Sequence, residues 1–128
     1  MKKAIMFLIA VYSLAFLNVA RAAESRVVQI GVNDVYVPAG FDRSSDVYAI
    51  ASGVFPNGCY EWSHAEVIHT SNFHHEVRML ANVSQGMCIM VLVPFSQEIK
   101  LGKFEQGKHA LKFVNGDGTY IEKNIDIE

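Results

Sequence analysis

Between Glu98 and Ile127, apolar and polar residues alternate with a period of two, the spacing of half-buried antiparallel sheet and not of helix. A short strand leads to a tight corner at Gly102 to Gly107. A longer strand follows, with His109, Leu111 and Phe113 on one face. Asn115-Gly116-Asp117-Gly118 supplies turn residues that tolerate positive φ, and Ile121, Ile125 and Ile127 continue an apolar face on the returning strand.

Upstream the same reading gives a strand or strand pair over residues 26–37, with valines and isoleucines interrupted at Asn33-Asp34. A Pro-, Gly-, Ser- and Asp-rich loop spans residues 38–46, a strand spans 47–55, and Pro56-Asn57-Gly58 forms a turn. Residues 65–83 predict a hairpin whose register follows from its inner face. With Val67 opposite Val77, Ala65 meets Met79 and His69 meets His75, whereas a slip of one residue would set valines against glutamates. Met87 to Val93 is an almost unbroken apolar run, which predicts a central strand buried on both faces. Seven or eight short strands with turns about every ten residues predict an all-β fold, a β-sandwich in preference to a barrel or a βαβ unit.

The segment Leu101-Gly-Lys-Phe-Glu-Gln-Gly107-Lys-His109-Ala-Leu111 resembles the corner that enters a late strand of immunoglobulin-like and fibronectin-like domains, in outline L-x-x-L-x-x-G-x-Y-x-L. The resemblance implies an immunoglobulin-like antiparallel β-sandwich of small exported proteins. It covers about a quarter of residues 23–128 and implies no activity. In that pattern a tyrosine ties the corner to upstream backbone; His109 holds its position here. Trp62 closely follows Cys59, unlike the cysteine–tryptophan–cysteine order of antibody domains.

Two features outside the strands place the chain in a compartment. Residues 1–22 have a Lys2-Lys3 start, an apolar run from Ile5 to Val19 and a small-x-small site at Ala20-Arg21-Ala22, the pattern of a signal peptide. The run is short for a membrane span, and no cysteine follows the cleavage site to take a lipid. The expectation is one domain at residues 23–128, bacterial, in the periplasm or secreted, with no membrane span after cleavage. Cys59 and Cys88 are the two cysteines, and export favours a disulfide between them. A redox pair or metal thiolates are the alternatives, but the close C-x-x-C spacing of a redox pair is absent.

Charge narrows the partners. Lys2, Lys3 and Arg21 fall in the leader, so residues 23–128 keep eight basic residues against all thirteen acidic ones, a formal charge of −5. That balance argues against nucleic acid and against anionic membranes.

The most suggestive chemistry is a histidine cluster, His64, His69, His74 and His75. Opposed His69 and His75, helped by His74 or Glu76, are candidate ligands for Zn²⁺ or Cu²⁺; the alternative is four polar residues near a solvated hairpin tip. Asp42, Ser44 and Asp46 begin like a calcium loop, but Val47 and Gly53 stand where the glycine and glutamate belong. No serine lies in a G-x-S-x-G elbow, and Ser63-His64 are strand neighbours expected on opposite faces. Met87 and Met90 flank Cys88, but a cysteine in a disulfide cannot serve blue copper, and core packing explains these methionines more simply. Phe41, Tyr60 and Trp62, on or beside loops, are candidate anchors for a partner. These features favour a non-enzymatic module of the cell envelope that binds a protein and needs no cofactor. A metal-binding protein with Zn or Cu is the alternative, and a small hydrolase the third choice. The oligomeric state is not legible.

Overall fold

The computed structural model describes residues 25–128. Among them the alternation resolves into eight strands: β1 (Arg26–Gln29), β2 (Asp34–Tyr36), β3 (Val47–Phe55), β4 (Tyr60–His69), β5 (His74–Val83), β6 (Val93–Gly102), β7 (Gly107–Val114) and β8 (Tyr120–Ile127). They form two sheets, and β5 is the spine of the larger one. β4 lies antiparallel along one edge of β5, from Tyr60 opposite Val83 to His69 opposite His75. The other edge is divided between β7, parallel to residues 74–78, and β1, antiparallel to residues 80–83. β8 pairs with the far side of β7, and β2, β3 and β6 make the smaller antiparallel sheet.

Eight strands in two sheets, one disulfide and no helix among the described residues constitute the expected all-β sandwich. The hairpin register is the expected one: Val67 faces Val77, Ala65 faces Met79 and His69 faces His75. One pair, β5 with β7, is parallel. The chain leaves β5, crosses to the smaller sheet for β6 and returns for β7, and such a crossover lets two strands of one sheet run the same way. The leader expected at residues 1–22, and with it the boundary at residue 23, lies outside the described residues.

The core is the set of inward positions from both sheets. Val77, Met79, Ala81, Leu111, Phe113, Ile125 and Ile127 face Val35, Val47, Ala49, Ala51, Phe55, Ile99 and Leu101. The N-terminal segment passes from one sheet to the other between β1 and β2. Asn115 holds that crossing: its Oδ1 accepts the Val32 amide at 2.9 Å, while its Nδ2 donates to Thr119 Oγ1 at 3.0 Å. The corner between β6 and β7 turns at Gly107, whose φ of 131° suits glycine, and a Cβ there would lie 3.1 Å from the Phe73 ring. Pro94 sits on β6, whose outer edge has no partner among the described residues, and edge strands are where a sheet tolerates proline.

The expectation of a central strand at Met87 to Val93 is overturned. Val93 opens β6, but residues 87–92 form an exposed loop, with Met87 104% and Met90 80% accessible. Two constraints keep the segment from the central position expected of it. Cys88 is bonded to Cys59, just before β4, with their Cα atoms 5.2 Å apart. Both edges of β3 are filled by β2 and β6, and both edges of β5 by β4, β7 and β1. Met87 and Met90 are therefore not core residues; the buried methionine is Met79.

The disulfide closes a loop of sequence separation 29. Replacing both cysteines by serine is expected to lower the unfolding free energy by about 3 kcal/mol. Denaturant titration of the variant checks this; an unchanged midpoint would show that the sandwich holds without the bridge.

Candidate functional site

The β4–β5 hairpin brings the first two members of the site together. Thr70 N and Ser71 N donate to the His74 carbonyl at 3.0 and 3.2 Å, which closes the tip and sets His69 across from His75. Because side chains alternate along a strand, His75 points into the sandwich while His74 and Glu76 face the other side of the sheet. His74 Nδ1 is 2.8 Å from Ser71 Oγ, and Glu76 pairs with Arg78 at 3.6 Å. Neither is brought to the His69–His75 pair.

The third member comes from β7. Its parallel pairing sets His74 beside Ala110, and Ala110 N donates to the Phe73 carbonyl at 2.9 Å. His109, one residue earlier on the inward face, thereby meets His75. The three rings form a chain: His69 Nδ1 to His75 Nδ1 at 2.6 Å, His75 Nε2 to His109 Nδ1 at 2.9 Å, and His109 Nε2 to the Glu105 carbonyl at 2.6 Å. A carbonyl only accepts, so His109 carries its proton on Nε2. His75 must then donate from Nε2 to the bare Nδ1 of His109, and His69 donates from Nδ1 to the bare Nδ1 of His75. All three bonds are satisfied with every ring neutral, and His69 Nε2 keeps a lone pair outside the chain.

Aromatic rings roof this chain. Phe104, from the corner, stacks on His75 with centroids 4.1 Å apart and planes 6° from parallel, and on His109 at 5.0 Å; Phe73 lies 4.9 Å from His109. His109 is 1% exposed and His75 4%, while His69 at the strand end is exposed. Burial, with the neighbouring charges of His69, His109 and His74 adding to it, pushes the His75 pKa down to about 4. A cleft of about 200 Å³ opens beside the pair, lined by His69, Ser71, Asn72, His75, Phe104 and Glu105 together with Lys103.

The bond from His109 to the Glu105 carbonyl ties the start of β7 to backbone four residues upstream. The alternation already set His109 on the face of Leu111 and Phe113; that it meets His75 follows from the β5–β7 pairing, which no local pattern reveals. Phe104 and the Glu105 carbonyl were missed for the same reason.

The other expected residues lie elsewhere. A bulge in β4 between Trp62 and His64 lets Ser63 Oγ reach His64 Nδ1 at 2.8 Å, correcting the expectation that these neighbours point apart. The pair is solvated on an edge strand, and Glu66 stands 3.9 Å from His64 Nε2, beyond hydrogen-bond reach. Asp42 spends Oδ1 on the Ser44 amide and the hydroxyls of Ser44 and Ser45, bonds that lower its pKa and make a local turn. Phe41 packs edge-on against Tyr48 near the start of β3, Tyr60 stacks on Phe55 at the opposite end, and Trp62 lies 6.2 Å from Phe95; all three are half-buried against the core.

A two-layer β-sandwich with one bridge and a buried imidazole chain is the class these features define. Residues 49–126 match the ORF11 beta-sandwich domain, and the chain belongs to that family. Beyond it, no curated protein and no solved structure matches the chain.

His75 is neutral when folded and takes up a proton more readily when unfolded, so the unfolded state binds more protons between about pH 4 and 6.5. Stability should be full above the ordinary histidine range and fall, by up to roughly 3 kcal/mol, as the pH drops through that window. Melting curves across this range test the sign; a rise in stability on acidification would contradict it. His109→Ala removes a buried ring and leaves His75 Nε2 and the Glu105 carbonyl without partners, and should cost about 3 kcal/mol in denaturant unfolding.

Proposed function

We propose that this chain is an exported, non-enzymatic β-sandwich of the bacterial cell envelope that binds a protein partner through the loop at residues 87–92. The observation that carries the reading is the exposure of that loop. Met87, Ile89, Met90, Val91 and Leu92 form an uncharged apolar run with no strand neighbour, and each is more than half accessible. Solvated apolar runs of this length are costly in a monomer and mark contact surfaces. The loop is also held in place: Cys88 is bridged to Cys59, and Gly58 N donates to the Ile89 carbonyl at 2.9 Å. A tethered loop loses less entropy on docking than a free one.

The backbone of the loop favours protein over lipid as the occupant. Outside any sheet, its amides and carbonyls would be stranded in hydrocarbon. The composition is that of a strand, and an open strand edge flanked by apolar pockets satisfies both its backbone and its side chains. A cleft of about 280 Å³, lined by Val28, Val54, Phe55, Pro56 and Tyr60, includes residues on both sides of Gly58 and Cys59, where the loop is held. Tyr60 thus belongs to the docking end, whereas Phe41 lies toward the other end of β3. The disulfide is at home in an oxidising compartment, which agrees with export.

A photoreactive residue at Met90 in cells should give a discrete cross-link to one envelope protein, abolished by Ile89→Ser/Leu92→Ser. These exposed substitutions should change stability by no more than about 0.5 kcal/mol. Cross-linking only to lipid or to nothing, or a product that survives both substitutions, would overturn the reading.

A further inference from the structure

At the end of the sandwich away from the 87–92 loop, and independently of it, we infer that His69 and His75 form a binding site for a late first-row divalent cation, Cu²⁺ in preference to Zn²⁺. The two Nδ1 atoms lie 2.6 Å apart, joined by one hydrogen bond, and both rings line the cleft beside the Ser71–Asn72 tip. What sets the pair apart from a chance contact is the fixed tautomer of His75. Its Nε2 proton is committed to His109, and the Nε2 proton of His109 to the Glu105 carbonyl. Neutral His75 therefore presents a lone pair at Nδ1 toward His69. This is the arrangement by which an outer partner fixes the tautomer and orientation of a metal-binding imidazole. His109 is a positioning residue in this scheme, and Phe104 locks the His75 plane by stacking on it.

Loading the site displaces the hydrogen bridging the two nitrogens. His69 is exposed, so it can hold its single proton on Nε2 and turn Nδ1 to the cation, with no net proton lost by a neutral pair. Two bonds of about 2.0 to 2.1 Å set the nitrogens roughly 2.9 Å apart at the right angle of a tetragonal Cu²⁺ site and roughly 3.3 Å apart at the tetrahedral angle of Zn²⁺, a small opening that the exposed ring at the end of β4 can make. Among the described residues no third His, Cys, Asp or Glu completes a ligand group, so two imidazoles come from the protein and water in the adjoining cleft takes the remaining positions. Imidazole ligands suit copper and zinc, and the divalent series places Cu²⁺ above Zn²⁺.

The test is calorimetric titration of the exported, oxidised protein with Cu²⁺ and Zn²⁺, with electron paramagnetic resonance of the copper form to detect nitrogen ligation. Expected are micromolar or tighter binding at one site, Cu²⁺ tighter than Zn²⁺, and loss of the site in His69→Ala, an exposed change that spares the core. His64→Ala and His74→Ala should leave it intact. His109→Asn, provided its circular dichroism is native, should weaken it by about 10- to 100-fold. No binding, binding that survives His69→Ala, or binding lost in His64→Ala or His74→Ala would overturn the inference, the last by marking it as capture by surface histidines.

Discussion

Occupancy of strand edges governs this molecule. β5 has β4 along one edge and β7 and β1 sharing the other, and β3 is enclosed by β2 and β6. Once these edges are filled, neither sheet has a central place left for another strand. The chain nevertheless carries one more strand-like segment, residues 87–92, and the Cys59–Cys88 bridge fixes it just outside the layers. The same shared edge of β5 admits β7 in parallel, and that pairing delivers His109 to His75. Both notable features of the surface and interior thus follow from how the neighbours of β5 are arranged.

The two features lie at opposite ends of β4 and β5. Tyr60 and Val83 mark the end near the disulfide and the apolar loop; His69 and His75 mark the other. Buried polar groups are tolerated only when every donor and acceptor is matched, and the imidazole chain meets that demand by ending on a backbone carbonyl. Among the described residues, the run Met87, Ile89, Met90, Val91 and Leu92 is uncharged and exposed in an otherwise acidic sequence.

The parts of the fold that were legible in the sequence are those fixed by neighbours. The β4–β5 register could be read because a slip of one residue would bury Glu76 and Arg78 in place of Val77 and Met79. The inward setting of His109 could be read from Leu111 and Phe113. The chain of three histidines could not, because it depends on two strands separated by a crossover into the other sheet. Residues 87–92 escape the pattern for a different reason: an apolar run has the same composition whether the protein buries it in its own core or leaves it exposed. Edge occupancy, which decides between these outcomes, is a property of the assembled sheets.

The most direct measurement is amide hydrogen exchange of residues 87–92 in the isolated, oxidised protein and again with its cross-linked partner. Rapid exchange alone and slow exchange in the complex are the expected results, because on the proposed reading the segment's backbone groups gain sheet partners on docking. Slow exchange in the isolated chain would contradict this, since it would mean that the sandwich already satisfies the segment within itself.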